Sequence, residues 1–237
     1  MQSEFPIIQS VIENPHLGYI FPFSGGSIIQ HKSGFCQILP TQAEISKDII
    51  DVISKEVKES YFHFYDVSAE LLKSILEQQP NWNIRLRKRK AAIQVGNTEI
   101  QTIPEGYTVS SVLQIHPEQI ERIPQNIFQS FYNQWEDFKT QSHAQIIWTE
   151  DGSFASMCYG AAFGSGLGEV DVFTDEKHRG KGLGECAVQH FIKSLQQEGK
   201  TAHWDCFLDN FGSLALAKKC GFEFNKEYWF LSIYKVT

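Results

Sequence analysis

The chain has 237 residues, 42% hydrophobic and 21% charged, enough apolar side chain for one large domain or two small ones. Asp and Glu number 28 against 21 Lys and Arg, a formal charge of -7, which argues against nucleic acid or an anionic membrane as a general partner, because phosphate attraction needs surplus positive charge. There is no run of 18 apolar residues, and the opening MQSEFPIIQS lacks a basic segment followed by an apolar one, so a cytoplasmic protein is expected.

Cys36, Cys158, Cys186, Cys206 and Cys220 are odd in number, irregularly spaced and without a CxxC pair. This spacing argues against a disulfide framework or a structural zinc site and fits a reducing compartment. No HxxxH or HExxH string occurs, so no metal site is expected.

Taken along the chain, Thr41 and Glu44 suggest a capping box, followed by Ile45, Ile49, Ile53 and Val57 on one helical face. Tyr61–Val67 reads as an aromatic strand, and Ser68 caps a helix bearing Leu71, Leu72, Ile75 and Leu76. Asn83–Val95 reads as a strand whose basic cluster, Arg85, Arg87, Lys88, Arg89 and Lys90, forms a solvated charged face. An RNA- or protein-modifying module steered by that cluster is a weaker reading. Gly96–Gly106 is polar and turn-rich, and places a domain boundary so that residues 1–105 form an N-terminal α/β domain and 106–237 a second one.

The second part reads as a strand Tyr107–Leu113, helices Pro117–Ile123 and Asn126–Phe138, and strands Gln145–Thr149 and Ser153–Ala162 joined by an Asp151-Gly152 turn. A strand Glu169–Thr174 leads through a glycine-rich turn into an amphipathic helix that Gly199 ends. Thr201–Phe207 is a strand and Gly212–Lys219 a short helix stopped by Gly221. Phe224–Val236 supplies two closing strands around Asn225–Lys226. The order is mixed α/β.

The chemistry concentrates in Thr174-Asp175-Glu176-Lys177-His178-Arg179-Gly180-Lys181-Gly182-Leu183-Gly184, which joins a strand to a helix. Its glycines permit tight turns and close approach of a ligand. The free amides and dipole of a helix start favour an anion, and Lys177, Arg179 and Lys181 add positive charge. Together these describe a phosphate cradle. Neither GxxxxGK[ST] nor GxGxxG is present.

Arg179, Gly182 and Gly184 resemble the pyrophosphate loop of the GNAT superfamily of acyl-CoA-dependent N-acyltransferases. Trp204-Asp205-Cys206, Asn210, Ser213–Lys219 and Gly221-Phe222 resemble the family's next landmarks. With His203 they look like the zwittermicin-resistance-type branch. The resemblance covers roughly residues 107–237. It implies an α+β fold with a mixed central sheet flanked by helices and a smaller N-terminal α/β region. It also implies an N-acetyltransferase that takes acetyl-CoA and a small primary amine; that neither nucleic acid nor membrane is a partner is expected from the charge balance and the lack of a long apolar run. A homodimer is an arrangement it leaves open.

In that reading, backbone groups of Val172, Phe173 and Thr174 meet the pantetheine arm, as an added strand would. Amides of Gly180, Lys181, Gly182, Leu183, Gly184 and Glu185 hold the pyrophosphate beside Arg179. Asn210 bonds a pantetheine amide, and Ser213 caps the next helix or touches the cofactor. An alkyl ammonium, with a pKa near that of lysine at about 10.4, must lose a proton before it attacks. Asp205 is the leading base, and Glu169 and Asp171, sharing one face of the preceding strand, are rivals. Many family members carry a tyrosine acid seven residues after the Asn. Here that position is Ala217, with Tyr228 and Cys206 as substitutes. The alanine also keeps open a non-catalytic acyl-CoA-binding or regulatory protein.

Overall fold

The computed structural model describes residues 1–40, 47–55, 61–78 and 82–235. Thr41, Glu44, Ile45 and Val57 lie outside the described residues. The chain divides into two compact units, residues 1–90 with 226–237 and residues 91–225. The turn-rich stretch Gly96–Gly106 therefore lies inside the second unit, and the division falls between Lys90 and Ala91.

The first unit begins with helix α1 (Pro6–Glu13), strands β1 (Gly18–Phe23), β2 (Gly26–His31) and β3 (Phe35–Leu39), helix α2 (Lys47–Lys55), strand β4 (Tyr61–Phe64) and helix α3 (Ala69–Gln78). It is completed by the first part of β5 (Trp82–Gln94) and the last part of β11 (Phe222–Lys235). β1, β2 and β3 form an antiparallel meander. β3 is parallel to β4, and β4 antiparallel to β11. Ile49, Ile53, Leu71 and Ile75 are buried against Phe62, Phe64 and Leu231, so these two helices gain their stability by covering the sheet. Ser68 accepts the Leu71 amide at 3.1 Å, the cap its position predicts. The basic strand is balanced from β11. Lys88 and Lys90 lie 2.8 and 3.8 Å from Glu227, and the Arg89 guanidinium stacks on Phe230 at 4.7 Å.

The second unit contains β6 (Tyr107–Ser111), α4 (Pro117–Ile120), α5 (Trp135–Gln141), β7 (Gln145–Thr149), β8 (Phe154–Gly164), β9 (Leu167–Thr174), α6 (Leu183–Gln197), β10 (Thr201–Phe207) and α7 (Phe211–Lys219). β6 to β9 are an antiparallel meander, and β10 joins β9 in parallel. Two cores lie on opposite faces. On one, Leu183, Ala187, Phe191 and Leu195 of α6 pack on Cys158, Val170, Val172, Trp204 and Cys206. On the other, Phe138 of α5 packs with Phe128, Tyr132, Tyr159 and Phe173.

Three local readings change. Asn126–Phe138 is not one helix. Gln125–Ile127 makes a 3-10 turn, bends follow, and α5 starts only at Trp135. The apolar residues here fill the aromatic cluster around Phe138 from separate short segments, so their spacing mimics a helix. Strand β6 ends at Ser111, whose hydroxyl accepts the Leu113 amide and starts a 3-10 turn. Phe222–Lys235 is a single strand: Asn225-Lys226 is no hairpin, although the division between units falls there.

Candidate active site

The site is built where β9 and β10 cease to pair. Parallel register runs from Thr201↔Leu167 to His203↔Glu169, while β9 continues along β8 to Ser156↔Thr174. Past Glu169, β9 is therefore held from one side by β8, and its other edge is opened. The Ser156 hydroxyl donates to the Phe173 carbonyl at 2.9 Å, and the Asp175 amide to the Ala155 carbonyl at 2.9 Å. Backbone groups alternate along a strand, so Val172 and Thr174 direct theirs to the opened edge. Phe173 directs its carbonyl to β8. Arg179 Nε donates to the Thr174 carbonyl at 3.2 Å.

From Thr174 the chain enters the glycine loop. Asp175 accepts the Lys177 amide at 3.0 Å, which starts a 3-10 turn. Gly180 and Gly182 have φ of 76° and 78°, the left-handed region that disfavours a side chain. An added Cβ at either would meet nothing within 4 Å, so it is conformation and not space that requires glycine there. Gly184 differs. A Cβ there would press on Thr174 Oγ1 at 3.2 Å, so this glycine seats α6 against β9. Gly182 is the N-cap and has no side chain to cap with; the Cys186 amide is the first to find a helical acceptor, the Gly182 carbonyl, at 3.0 Å. Leu183, Gly184 and Glu185 thus present first-turn amides to an outside acceptor.

The loop's side chains are anchored around this turn. Lys181 Nζ donates to the Tyr107 hydroxyl at 2.9 Å, which meets His178 Nδ1 at 3.0 Å. Arg179 also pairs with Glu176 at 3.3 Å, and the Glu185 carboxylate accepts from Gln101 at 3.1 Å. Lys177 is exposed. Tyr107 lies far from the loop in sequence, and only the fold brings its hydroxyl there. Asn210 caps α7, its side-chain oxygen accepting the Ser213 amide at 3.1 Å. The Ser213 hydroxyl accepts from Trp204 Nε1 at 3.1 Å, so it is neither the cap nor exposed as a bare group.

The carboxylates share the face away from α6. Val170 and Val172 pack in the α6 core and Phe173 in the α5 core, which puts Glu169 and Asp171 on the α5 side, as the alternation predicts. His203 lies opposite Glu169 in the parallel register, and Asp205 follows two residues on, between Trp204 and Cys206 of the α6 core. Glu169 does not face solvent. Its Oε2 lies 2.6 Å from His203 Nδ1, with both side chains buried. The one signal in the sequence for His203 as a site residue is its position two residues before Asp205. Asp171 Oδ2 lies 2.6 Å from the Tyr159 hydroxyl. Burial raises the Asp171 carboxyl above its usual range, against the pull of Tyr159 and of the Val172 amide. Ala217 is fully buried in the α6 core, Cys206 lies in the same core, and Tyr228 packs on Phe5 and Lys226 of the first unit.

Residues 27–231 match the family profile described as GNAT acetyltransferase. The chain belongs to the GNAT acetyltransferase family. The match reaches into both units and beyond the stretch where the motifs lie. Uncharacterized N-acetyltransferase YdfB of Bacillus subtilis (strain 168) is 30% identical over 101 residues, 43% of this chain and 38% of that protein. The chain therefore spans well under half of that relative's length. A GCN5-related N-acetyltransferase-like protein from Streptococcus suis superposes with a TM-score of 0.72 at 19% identity, over 97% of this chain and 93% of that one. A GCN5-related N-acetyltransferase from Kribbella flavida gives 0.66 at 15% identity, over 98% and 95%. These two likenesses establish the GNAT-like fold, a mixed sheet flanked by helices. Among the described residues no helix is long and apolar enough to cross a membrane.

Proposed function

We propose that this GNAT-family chain acetylates the primary amine of a small molecule with acetyl-CoA, in the cytoplasm. The observation that carries this reading is the uncapped start of α6, with left-handed Gly180 and Gly182, placed directly after the opened edge of β9. A polyanion fits such a start, since the amides have no side-chain cap and the space a Cβ would take at either glycine is open to 4 Å.

Bound acetyl-CoA would supply an activated acetyl thioester. The amides of Gly180 to Glu185, with Lys181 and Arg179 beside them, hold its pyrophosphate. Val172 and Thr174 offer backbone groups to the pantetheine arm, while Phe173 lends its place in the strand. Asn210 and Ser213 stand at the start of α7, where the Asn210 amide nitrogen can donate. Asp205 takes the proton from the amine as it attacks. Glu169 contacts His203 with both side chains buried, and it shapes this face. The His203-Trp204-Asp205-Cys206 strand followed by Asn210 supports membership of the zwittermicin-resistance-type branch.

The burial of Ala217 where many relatives carry a tyrosine favours a second reading, a non-catalytic acyl-CoA-binding protein. Release of free CoA thiol with a panel of amines separates the two. Turnover on at least one amine supports transfer. Binding of acetyl-CoA with no turnover above background leaves the second reading.

A further inference from the structure

The Tyr159 hydroxyl lies between two oxygens. The Ile127 carbonyl is at 2.7 Å and Asp171 Oδ2 at 2.6 Å, both ordinary lengths for an O–H···O bond. A phenol has one proton to give. A carbonyl can only accept, and so can an ionised carboxylate. With Asp171 ionised, one of these two close oxygen pairs would hold no proton and would repel. Both are satisfied only when Asp171 donates to Tyr159 and Tyr159 donates to Ile127.

The surroundings favour the same state. Tyr159 is fully buried, and Asp171 faces it across the β8–β9 register. The titratable groups that act on the pair are the hydroxyl of Tyr132, which donates to the Gly160 carbonyl, and the thiol of Cys158, while Glu169 and Asp205 lie on the same face of the sheet. Burial pushes the carboxyl of Asp171 upward against the opposing hydrogen bonds of Tyr159 and the Val172 amide, and burial together with the facing Asp171 pushes the phenol of Tyr159 upward. Asp171 immediately precedes Val172, whose backbone opens toward the proposed pantetheine arm, and it lies on the face that also carries Asp205.

We propose that Asp171 is held as the neutral carboxylic acid and is the catalytic acid of this site, taking the place left by Ala217. The inference rests on the acetyl-transfer reading. When the carbon–sulfur bond of the thioester breaks, its electron pair stays on sulfur and the Asp171 proton moves there, leaving a thiol and a carboxylate. The Tyr159 hydroxyl then turns from Ile127 to donate to the new carboxylate. Asp205 holds the proton taken from the amine, and solvent carries the equivalent proton back to Asp171, so the cycle closes without a further reagent. Tyr159 acts through Asp171 and is a positioning residue.

Infrared spectroscopy and steady-state kinetics test this together. The carbonyl stretch of a protonated carboxylic acid is expected in the wild-type protein at pH 7 and absent from Asp171→Asn, whose amide can still donate to Tyr159 and preserve the fold. Tyr159→Phe should shift that band by removing its acceptor. Asp171→Asn should lower kcat about 100-fold, the lower end for general acid catalysis, without changing acetyl-CoA affinity. It should also abolish the fall of kcat on the alkaline side. No protonated band in an active wild-type enzyme, no shift in Tyr159→Phe, or full kcat in Asp171→Asn overturns the assignment alone. Absence of turnover in the wild type overturns both this assignment and the transferase reading.

Discussion

His203 Nδ1 stands 2.6 Å from Glu169 Oε2 with both side chains buried, at the last pair of the parallel register between β9 and β10. The contact closes the sheet just where it starts to open. Removing Glu169 takes away a buried partner of His203, and breaking such a buried pair costs up to about 3–5 kcal/mol. Glu169→Ala should show a loss of that order in urea unfolding. Glu169→Gln, which keeps an acceptor, should lose far less and retain most turnover.

Asp205 carries the opposite expectation. Asp205→Asn should cut kcat about 100- to 1,000-fold, the scale of a lost general base, with little change in acetyl-CoA affinity. Stopped-flow turnover beside calorimetric binding checks the split. Unchanged kcat would move the role to another carboxylate on that face.

Gly182→Glu tests the cradle. It brings bulk, negative charge and an unfavourable left-handed φ to the α6 N-cap, where positive φ costs a non-glycine residue roughly 1–2 kcal/mol. The protein should still fold, because a Cβ there meets no neighbour within 4 Å. Acetyl-CoA binding should disappear, as read by titration calorimetry on a variant whose circular dichroism matches the wild type.

His31 governs an acid sensitivity in the first unit. Burial, helped by Lys32, lowers its pKa from 6.5 to about 4. Between those values the unfolded chain binds a proton that the folded chain refuses, so stability falls as pH drops through that window. The full loss approaches about 3 kcal/mol. His31→Asn keeps an acceptor for the Ser33 amide, which now donates to Nδ1 at 3.1 Å, and carries no titration. Urea midpoints measured from pH 7 to pH 4 should decline less steeply in this variant.

Gly18 is a packing requirement in extended backbone. A Cβ there would run into the Gln30 carbonyl and lie 2.9 Å from Val11 Cγ2. Gly18→Ala should destabilise by about 1–3 kcal/mol, the cost of overpacking against atoms that cannot move aside. A thermal melt reads it directly.

Much of the second unit was legible in the residues. The β9–loop–α6 passage announced itself through glycine spacing and basic side chains, because backbone conformation and local charge are encoded over a few neighbours. Strand alternation put Glu169 and Asp171 on one face for the same reason. The segment around Asn126–Phe138 departs from the helix its pattern suggests. Its apolar residues answer to a shared aromatic cluster, and a cluster built from several short pieces leaves no single period. The joining of Phe222–Lys235 into one strand was likewise decided by neighbours on both sides and not by the polar Asn225-Lys226 pair.

By itself the sequence determined where the backbone turns left-handed and a helix starts uncapped, since that depends on which residues tolerate positive φ and on where a capping side chain is missing. Only the tertiary structure decided what surrounds the carboxylates. Glu169 is matched with a histidine 34 residues away, and Asp171 with a tyrosine whose hydroxyl already has a second acceptor. Proton occupancy depends on burial and on the count of donors around each oxygen, quantities that exist only once distant strands lie side by side.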